Sequence, residues 1–437
     1  MQVEAHRAVV GRGGRLLPLQ IGLVCPTMWD EAELPSIAAA GCYGIRAFGS
    51  DASEHPERFD AHAFIDSAVA ILGHEGVDGV MASDDYPGSI VAAVIAQKLG
   101  LPGPAPAALL LCQHKYYSRI AQREVVPEAV PDFMLVDPED LEGAAVRLEF
   151  PVFIKPVKSF FSLHAQEIKS ADELEAVARG ARQHLGDFVK PFNQLLERYT
   201  DFPLDGGYLL AERLLCGHQV TVEGCVFQGG VAIIGIVDSI MYPGTISFRR
   251  FEYPSVLSEA IRQRMEDIAM RFIRSIGFDN ALFNVEMIYD PVTGGIHVIE
   301  INPRMCPQFA DLMEKVNGVN TYEIALDIAA GRRPTLRRPN AKYRAAASLV
   351  ARLFDDRLVR RVPSLDELAR FAERFPDARL KVLCREGHRL SDELQDGKSY
   401  RYALVNLGGE SRGDVLARYE DAMRQLPFTF ASPRSGA

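Results

Sequence analysis

The stretch "HVIEINPRM", residues 297–305, decides how the chain is read. An apolar pair, Val298 and Ile299, leads into Glu300, Asn302 and Arg304 at alternate positions, and a strand places alternate residues on one face. Upstream, "ALFNVEMIYD" (281–290) is a second strand-like run, and "PVTGG" (291–295) between the two has the composition of a hairpin turn. With the turn centred near Thr293, Glu286 falls directly across from Glu300. Opposed Cβ atoms in a sheet lie about 4.5–5.5 Å apart, and like charges there are destabilising. A divalent cation resolves the conflict, because carboxylate and amide oxygens are hard ligands, and magnesium commonly takes one or two carboxylates together with phosphate oxygens. Asn302, on the face of Glu300, adds a neutral oxygen. The alternative is a solvated polar stripe containing Glu286 and Asn284. The apolar setting of Phe283, Val285, Met287, Val298, Ile299 and Ile301 argues against it.

Elsewhere, two lysines stand out. Lys155 ends the apolar strand "FPVFIKP" (150–156), where an ammonium is costly unless it meets an anion. Lys115 lies in the helical segment "CQHKYYSRIAQRE" (112–124), where it could equally be a surface residue. Glu212, in the apolar "YLLAERLLCGHQ" (208–219), needs hydrogen-bond donors, which an adenine amino group or an ordinary ion pair would supply.

Working outward, the first third alternates strands and helices. "LQIGLVC" (19–25), "YGIRAF" (43–48) and "VDGVMAS" (77–83) read as strands, and "EAELPSIAAAG" (31–41) and "GSIVAAVIAQKLG" (88–100) as helices stopped by glycine. That order implies an open, largely parallel sheet. "LPGPAP" (101–106) marks a boundary. A further hairpin, "QVTVEGCVF" and "VAIIGIVDS" around "QGG" (228–230), precedes a helix over 258–277 whose apolar residues recur on one face. "GRRPTLRRPN" (331–340) reads as a solvated linker to a third region of mixed strand and helix.

Composition limits what such a chain can do. At 437 residues and 48% hydrophobic it is globular, with room for roughly two to four domains. A formal charge of -10 excludes a non-specific nucleic-acid binder, though a local basic site could still take small anions. Seven scattered cysteines without metal-ligand spacing fit a reducing cytoplasm. Arg7, Arg12 and Arg15 before "LLPLQIGLVC" imitate a signal peptide, but Pro18 and Gln20 break the apolar run and no small-residue cleavage site follows. "GRGG" (11–14) reads as tail rather than a phosphate loop. No membrane span is expected.

Two lysines about forty residues apart, a Glu inside a strand and linker and a paired Glu with "EINPR" resemble the ATP-grasp superfamily, particularly its carboxylate-amine ligases of L-amino-acid ligase or biotin-carboxylase-like architecture. The likeness covers roughly residues 15–331, where "VDGVMASDD", "IAQKLGLPG" and "FNVEMIYD" fit the same pattern. It implies an α/β ATP-grasp fold in three parts: an N-terminal open parallel-sheet domain (15–112), the ATP-grasp domain (113–331) and a C-terminal α+β domain (332–437). It also implies ATP and Mg2+. Lys115 and Lys155 would bind phosphates, Glu212 the adenine side, and Glu286, Glu300 and Asn302 magnesium. Arg304 would stabilise the transferring phosphoryl group or an acyl phosphate.

The sequence departs from the family at two places. Gln219 stands where the family often has an acidic ribose contact, and an amide can still serve there. "KSFFSLHAQ" (158–166) replaces a glycine-rich loop, leaving Ser159 and Ser162 as phosphate contacts and Phe160 and Phe161 as a shield from water. Cys306 reads as packing. Arg249 and Arg250 stay outside the site. The function implied is an EC 6.3 type ligase joining a small carboxylic acid to an amine through an acyl phosphate. A biotin-carboxylase-like or other ATP-grasp transfer, or a non-catalytic nucleotide-binding module, are the alternatives. The partners implied are small molecules, with neither nucleic acid nor membrane, and a homodimer is allowed. The C-terminal region is expected to pack over the cleft.

Overall fold

The computed structural model describes residues 18–50, 59–159, 164–339, 341–393 and 398–432, without the side chains of 184, 185 and 187. The first region consists of β1 (Leu19–Val24), α1 (Met28–Ala39), β2 (Tyr43–Phe48), α2 (Ala61–Glu75), β3 (Gly79–Met81) and α3 (Gly88–Leu99). Its strands pair in parallel in the order β2-β1-β3, as the alternation of strand and helix predicts. α3 ends at Gly100, whose φ of 68° only glycine adopts readily.

A helix pair follows, α4 (Pro106–Gln113) and α5 (Lys115–Val125), where the sequence reading had a single segment. His114 separates the two, closing α4 and capping α5. Next come β4 (Phe133–Val136), α6 (Leu141–Arg147), β5 (Val152–Pro156), β6 (Gln166–Ile168), α7 (Ala171–Tyr199) and β7 (Leu209–Arg213). The four strands form a small sheet in the order β4-β7-β5-β6.

The larger sheet begins with β8 (His218–Phe227) and β9 (Gly230–Met241), which turn through Gln228 and Gly229, both at positive φ. β10 (Phe248–Tyr253), α8 (Glu259–Ser275), β11 (Ala281–Tyr289), β12 (Ile296–Asn302), α9 (Ala310–Asn317) and α10 (Thr321–Ala329) complete this region. α8 buries Met265, Ile268, Ala269, Phe272 and Ile273, the stripe that its period requires. That stripe joins Val220, Val222, Val285, Met287, Val298 and Ile301 from the lower face of the sheet in one core.

The third region holds β13 (Ala345–Leu353), β14 (Val359–Arg361), α11 (Leu365–Arg374), β15 (Arg379–Val382), β16 (Tyr400–Gly409), α12 (Arg412–Arg424) and β17 (Thr429–Phe430). It does not build a large sheet of its own. β13 pairs with β10, giving one eight-stranded sheet in the order β12-β11-β8-β9-β10-β13-β16-β15. Arg412 fastens α12 to this sheet through Asp238 and Glu252, each at 2.6 Å. Lys381 reaches the first region, lying 3.4 Å from the centre of the Trp29 ring. Residues 332–339 carry neither helix nor strand, but Arg332 and Arg338 are tied back to Asp327 and Glu323 on α10. Among the described residues no helix is long and apolar enough to cross a membrane.

Candidate active site

The β11–β12 hairpin pairs Glu286 with Glu300 and Asn284 with Asn302, as expected, but by a different route. Near the turn the register is one residue tighter, Tyr289 facing Ile296 and Met287 facing Val298. Ile299 is then an extra residue, a β-bulge, and the bulge brings Glu300 opposite Glu286. In a regular ladder continued from Met287–Val298, Glu300 would face Val285 and point into the core, because a one-residue slip exchanges the two faces of a strand.

A bulge also turns a peptide group off the ladder, and here that group is engaged. The Ile299 carbonyl accepts from Arg119 Nη2 at 2.8 Å and from Lys155 Nζ at 3.3 Å. The same two cations grip Glu212, Arg119 Nε on one carboxylate oxygen and Lys155 Nζ on the other, both at 2.6 Å. All three side chains are buried. The donors that Glu212 was expected to seek from an adenine amino group are therefore supplied by the protein. Burial would raise the Glu212 carboxyl, yet Arg119 and Lys155 hold it below the usual range. Burial lowers the Lys155 ammonium against the pull of Glu212.

Lys115 opens α5, and its backbone N–H bonds the Val157 carbonyl at 3.0 Å just beyond β5. That bond brings the two lysines to one place. Lys115 Nζ stands 3.3 Å from Glu300. Gln219 donates to Glu286 at 3.1 Å, and the Asn302 amide donates to Asn284 at 3.1 Å and to Glu286 at 3.4 Å. Burial, then the Glu300 charge, push Glu286 up to about 7. Lys115 and Lys155 overcome burial at Glu300 and hold it down to about 2. The opposed pair thus pushes one carboxyl up and leaves the other held down by two lysines, a charge conflict that a divalent cation would relieve. Among the described residues no group of three or more His, Cys, Asp or Glu could hold a metal. The donor set is two carboxylates and the Asn302 amide oxygen, which suits a cation that also takes phosphate oxygens.

All eight residues singled out from the sequence, Lys115, Lys155, Glu212, Gln219, Glu286, Glu300, Asn302 and Arg304, line one cavity of about 1400 Å³ between the small and large sheets. Phe153 and Ile288 contribute from the two sheets, Leu214–Gly217 from the connection between them, and Phe354 and Lys398 from the third region. Ser159 also lines it, whereas Phe160, Phe161 and Ser162 lie outside the described residues. Arg250 is paired with Glu252 and Arg249 is exposed beside the Tyr242 ring, so neither enters the cavity. Burial pushes the Cys306 thiol up to about 12, which suits packing rather than nucleophilic chemistry.

Among the charged and polar lining residues, the sequence reading missed Asp84, Asp85, Gln113 and Lys158. Asp84 and Asp85 follow β3, at the carboxyl end of the parallel sheet where open α/β folds bind ligands, a signal that could have found them. Lys158, 2% exposed, donates to Gln113 at 2.7 Å and sits over the rings of Tyr86 and Phe192. Burial brings its ammonium down to about 8.

Residues 148–313 match the family model of the ATP-grasp domain. The chain carries an ATP-grasp domain. An uncharacterized protein of Sinorhizobium fredii, y4rH, is 25% identical over 272 residues, 59% of this chain and 50% of that protein, so the chain spans half the length of this relative. Among solved structures, the L-amino acid ligase from Bacillus licheniformis superposes with a TM-score of 0.70 at 16% identity, over 96% of this chain and all of that one. The biotin carboxylase domain of Hydrogenobacter thermophilus 2-oxoglutarate carboxylase, solved with MgADP and bicarbonate, gives 0.65 at 14% identity over 94% and 91%. These likenesses establish the ATP-grasp fold across the three regions, with the cavity between its two sheets.

Proposed function

We propose that the protein is an ATP-dependent ligase, which activates a small carboxylic acid as an acyl phosphate and couples it to an amine, releasing ADP and phosphate. The observation that carries this reading is the opposed Glu286–Glu300 pair, set in a cavity that also presents Lys115, Lys155 and Arg304. The ATP-grasp match over 148–313 supports it. In this reading residues 15–112, 113–331 and 332–437 are its three parts, and it works in the cytoplasm on small molecules.

Lys115 and Lys155 bind the phosphate chain of ATP, and Glu212 with Arg119 keeps Lys155 in place. Gln219 reaches the ribose side. Glu286, Glu300 and Asn302 would hold magnesium, which would supply charge neutralisation at the phosphate oxygens. A carboxylate oxygen of the acid attacks the γ-phosphorus, the bond to ADP breaks, and Arg304 stabilises the charge on the transferring group. The amine nitrogen then attacks the acyl carbon, and the bond to phosphate breaks as the nitrogen loses its proton. The cavity walls exclude water from the mixed anhydride.

With an acid labelled by oxygen-18 in its carboxylate, inorganic phosphate should carry the label in proportion to amide formed. Label in AMP, or unlabelled phosphate released at the rate of amide formation, would overturn the mechanism.

A further inference from the structure

Lys158 lies three residues after the phosphate lysine, where the chain lacks a glycine-rich loop. Its ammonium is buried and its hydrogen bond goes to a neutral amide, Gln113, itself held by the Asp85 carbonyl and by Ser89, each at 2.9 Å. The nearest carboxylate is Asp85, whose Oδ2 is 3.7 Å away. The other oxygen of Asp85 is 3.6 Å from Arg304 Nε. Both separations exceed a charge-assisted hydrogen bond, which runs about 2.7–2.9 Å. One carboxylate is therefore shared, loosely, by two cations that line the same cavity.

Among the described residues, the two cations have only this one carboxylate between them within 4 Å. Asp84, next in the chain, accepts from the Gly88 N–H at 3.2 Å, and burial followed by the Asp85 charge push it up to about 7, so it offers less than a full negative charge. A buried ammonium without a close anion is costly, and an anion in the cavity would repay that cost. In the proposed reading a nucleotide phosphate is already served by Lys115, 3.3 Å from Glu300, and Lys155. The anion that remains in the proposed reaction is the carboxylate of the acid.

We infer that Lys158 and Arg304 together form the subsite for the carboxylate of the acid substrate, with Asp85 fixing the two cations and Gln113 aiming the lysine. This rests on the ligase reading above. The acid then lies with one oxygen toward the transferring phosphoryl group, beside the arginine that stabilises the acyl phosphate.

The test uses the full chain with Mg-ATP and the acid that best stimulates ADP release within a panel of L-amino acids and simple monocarboxylates. Lys158→Met keeps the length and the aromatic packing but removes the charge. Its KM for that acid should rise about tenfold to a hundredfold, as loss of a charged hydrogen bond requires, while ATP affinity measured by calorimetry changes less than about twofold. Lys158→Arg should recover most of the loss, and Gln113→Met, which leaves the charge but not its aim, should raise the same KM by a smaller factor. An unchanged KM for the acid in Lys158→Met overturns the subsite. So does a tenfold loss of ATP affinity with the acid KM intact, which would make Lys158 a phosphate ligand. Should Lys158→Met not fold, Gln113→Met decides: an unchanged acid KM there overturns the assignment. If no acid stimulates ADP release although Mg-ATP binds, the ligase reading fails and this subsite fails with it.

Discussion

Replacing Glu212 by Gln tests the cluster on which the site is built. The exchange keeps size and shape but removes the charge that Arg119 and Lys155 both face at 2.6 Å. Arg119 is 2% exposed and the Lys155 side chain 6%, so neither cation can turn to water. Breaking a buried pair by neutralising one partner costs about 3–5 kcal/mol, and here two cations lose a partner at once. The Ile299 carbonyl and Gln122 still accept from Arg119, which places the expectation near the lower figure, ~3 kcal/mol. Urea unfolding followed by far-UV circular dichroism measures it. Arg119→Met should be destabilising by itself, and the double variant less so than the sum, by a coupling of about 1–3 kcal/mol. A loss below ~1 kcal/mol for Glu212→Gln, or strict additivity, would refute the claim that this carboxylate neutralises both cations.

Glu300→Ala should lower kcat by well over tenfold, a barrier increase above ~1.4 kcal/mol, while the protein stays folded because a like-charge contact with Glu286 is relieved. Activity above a tenth of wild type would count against its place in the site. Lys115→Ala should weaken ATP binding at least about tenfold by calorimetry, since it removes the cation 3.3 Å from Glu300 and the opener of α5. Glu223 is buried beside Asn284 and the Cys306 N–H, and burial pushes its carboxyl up to about 7. The folded state then binds more protons than the unfolded state between the two pKa values, so stability is full below the unfolded value and falls as pH rises through about 7. Glu223→Gln should remove that loss, on the order of 3 kcal/mol at most. Its melting temperature should exceed wild type at pH 8.5 and approach it near pH 4, below the unfolded value, and an equal gap at both would contradict the assignment.

What was legible beforehand follows from the range of the forces involved. The hairpin pair and the core helix α8 could be read because turn composition and periodicity are local signals. The union of β10 with β13 could not, since pairing across that distance leaves no local pattern and the arginine-rich linker at 331–340 reads as a separation. Lys158 escaped for another reason. A lysine after a strand is usually a solvated one, and only the rings of Tyr86 and Phe192, brought from α7 and the turn after β3, make it a buried cation.

The bulge at Ile299 joins these cases. Nothing in "VIEIN" announces an extra residue, since Ile299 has the same apolar character as the residues around it. Its position is held instead by groups remote in sequence, Arg119 on α5 and Lys155 on β5, which share its carbonyl and, through Glu212, each other. The small sheet and the large sheet are thereby coupled at the one peptide whose displacement puts Glu300 on the cavity face. The lysine proposed to bind phosphate and the backbone group that sets the carboxylate register are thus anchored by the same ion cluster. An account of this site that stopped at the residues facing the cavity would miss why two like charges stand opposite each other: the cluster behind them leaves the strand no other register.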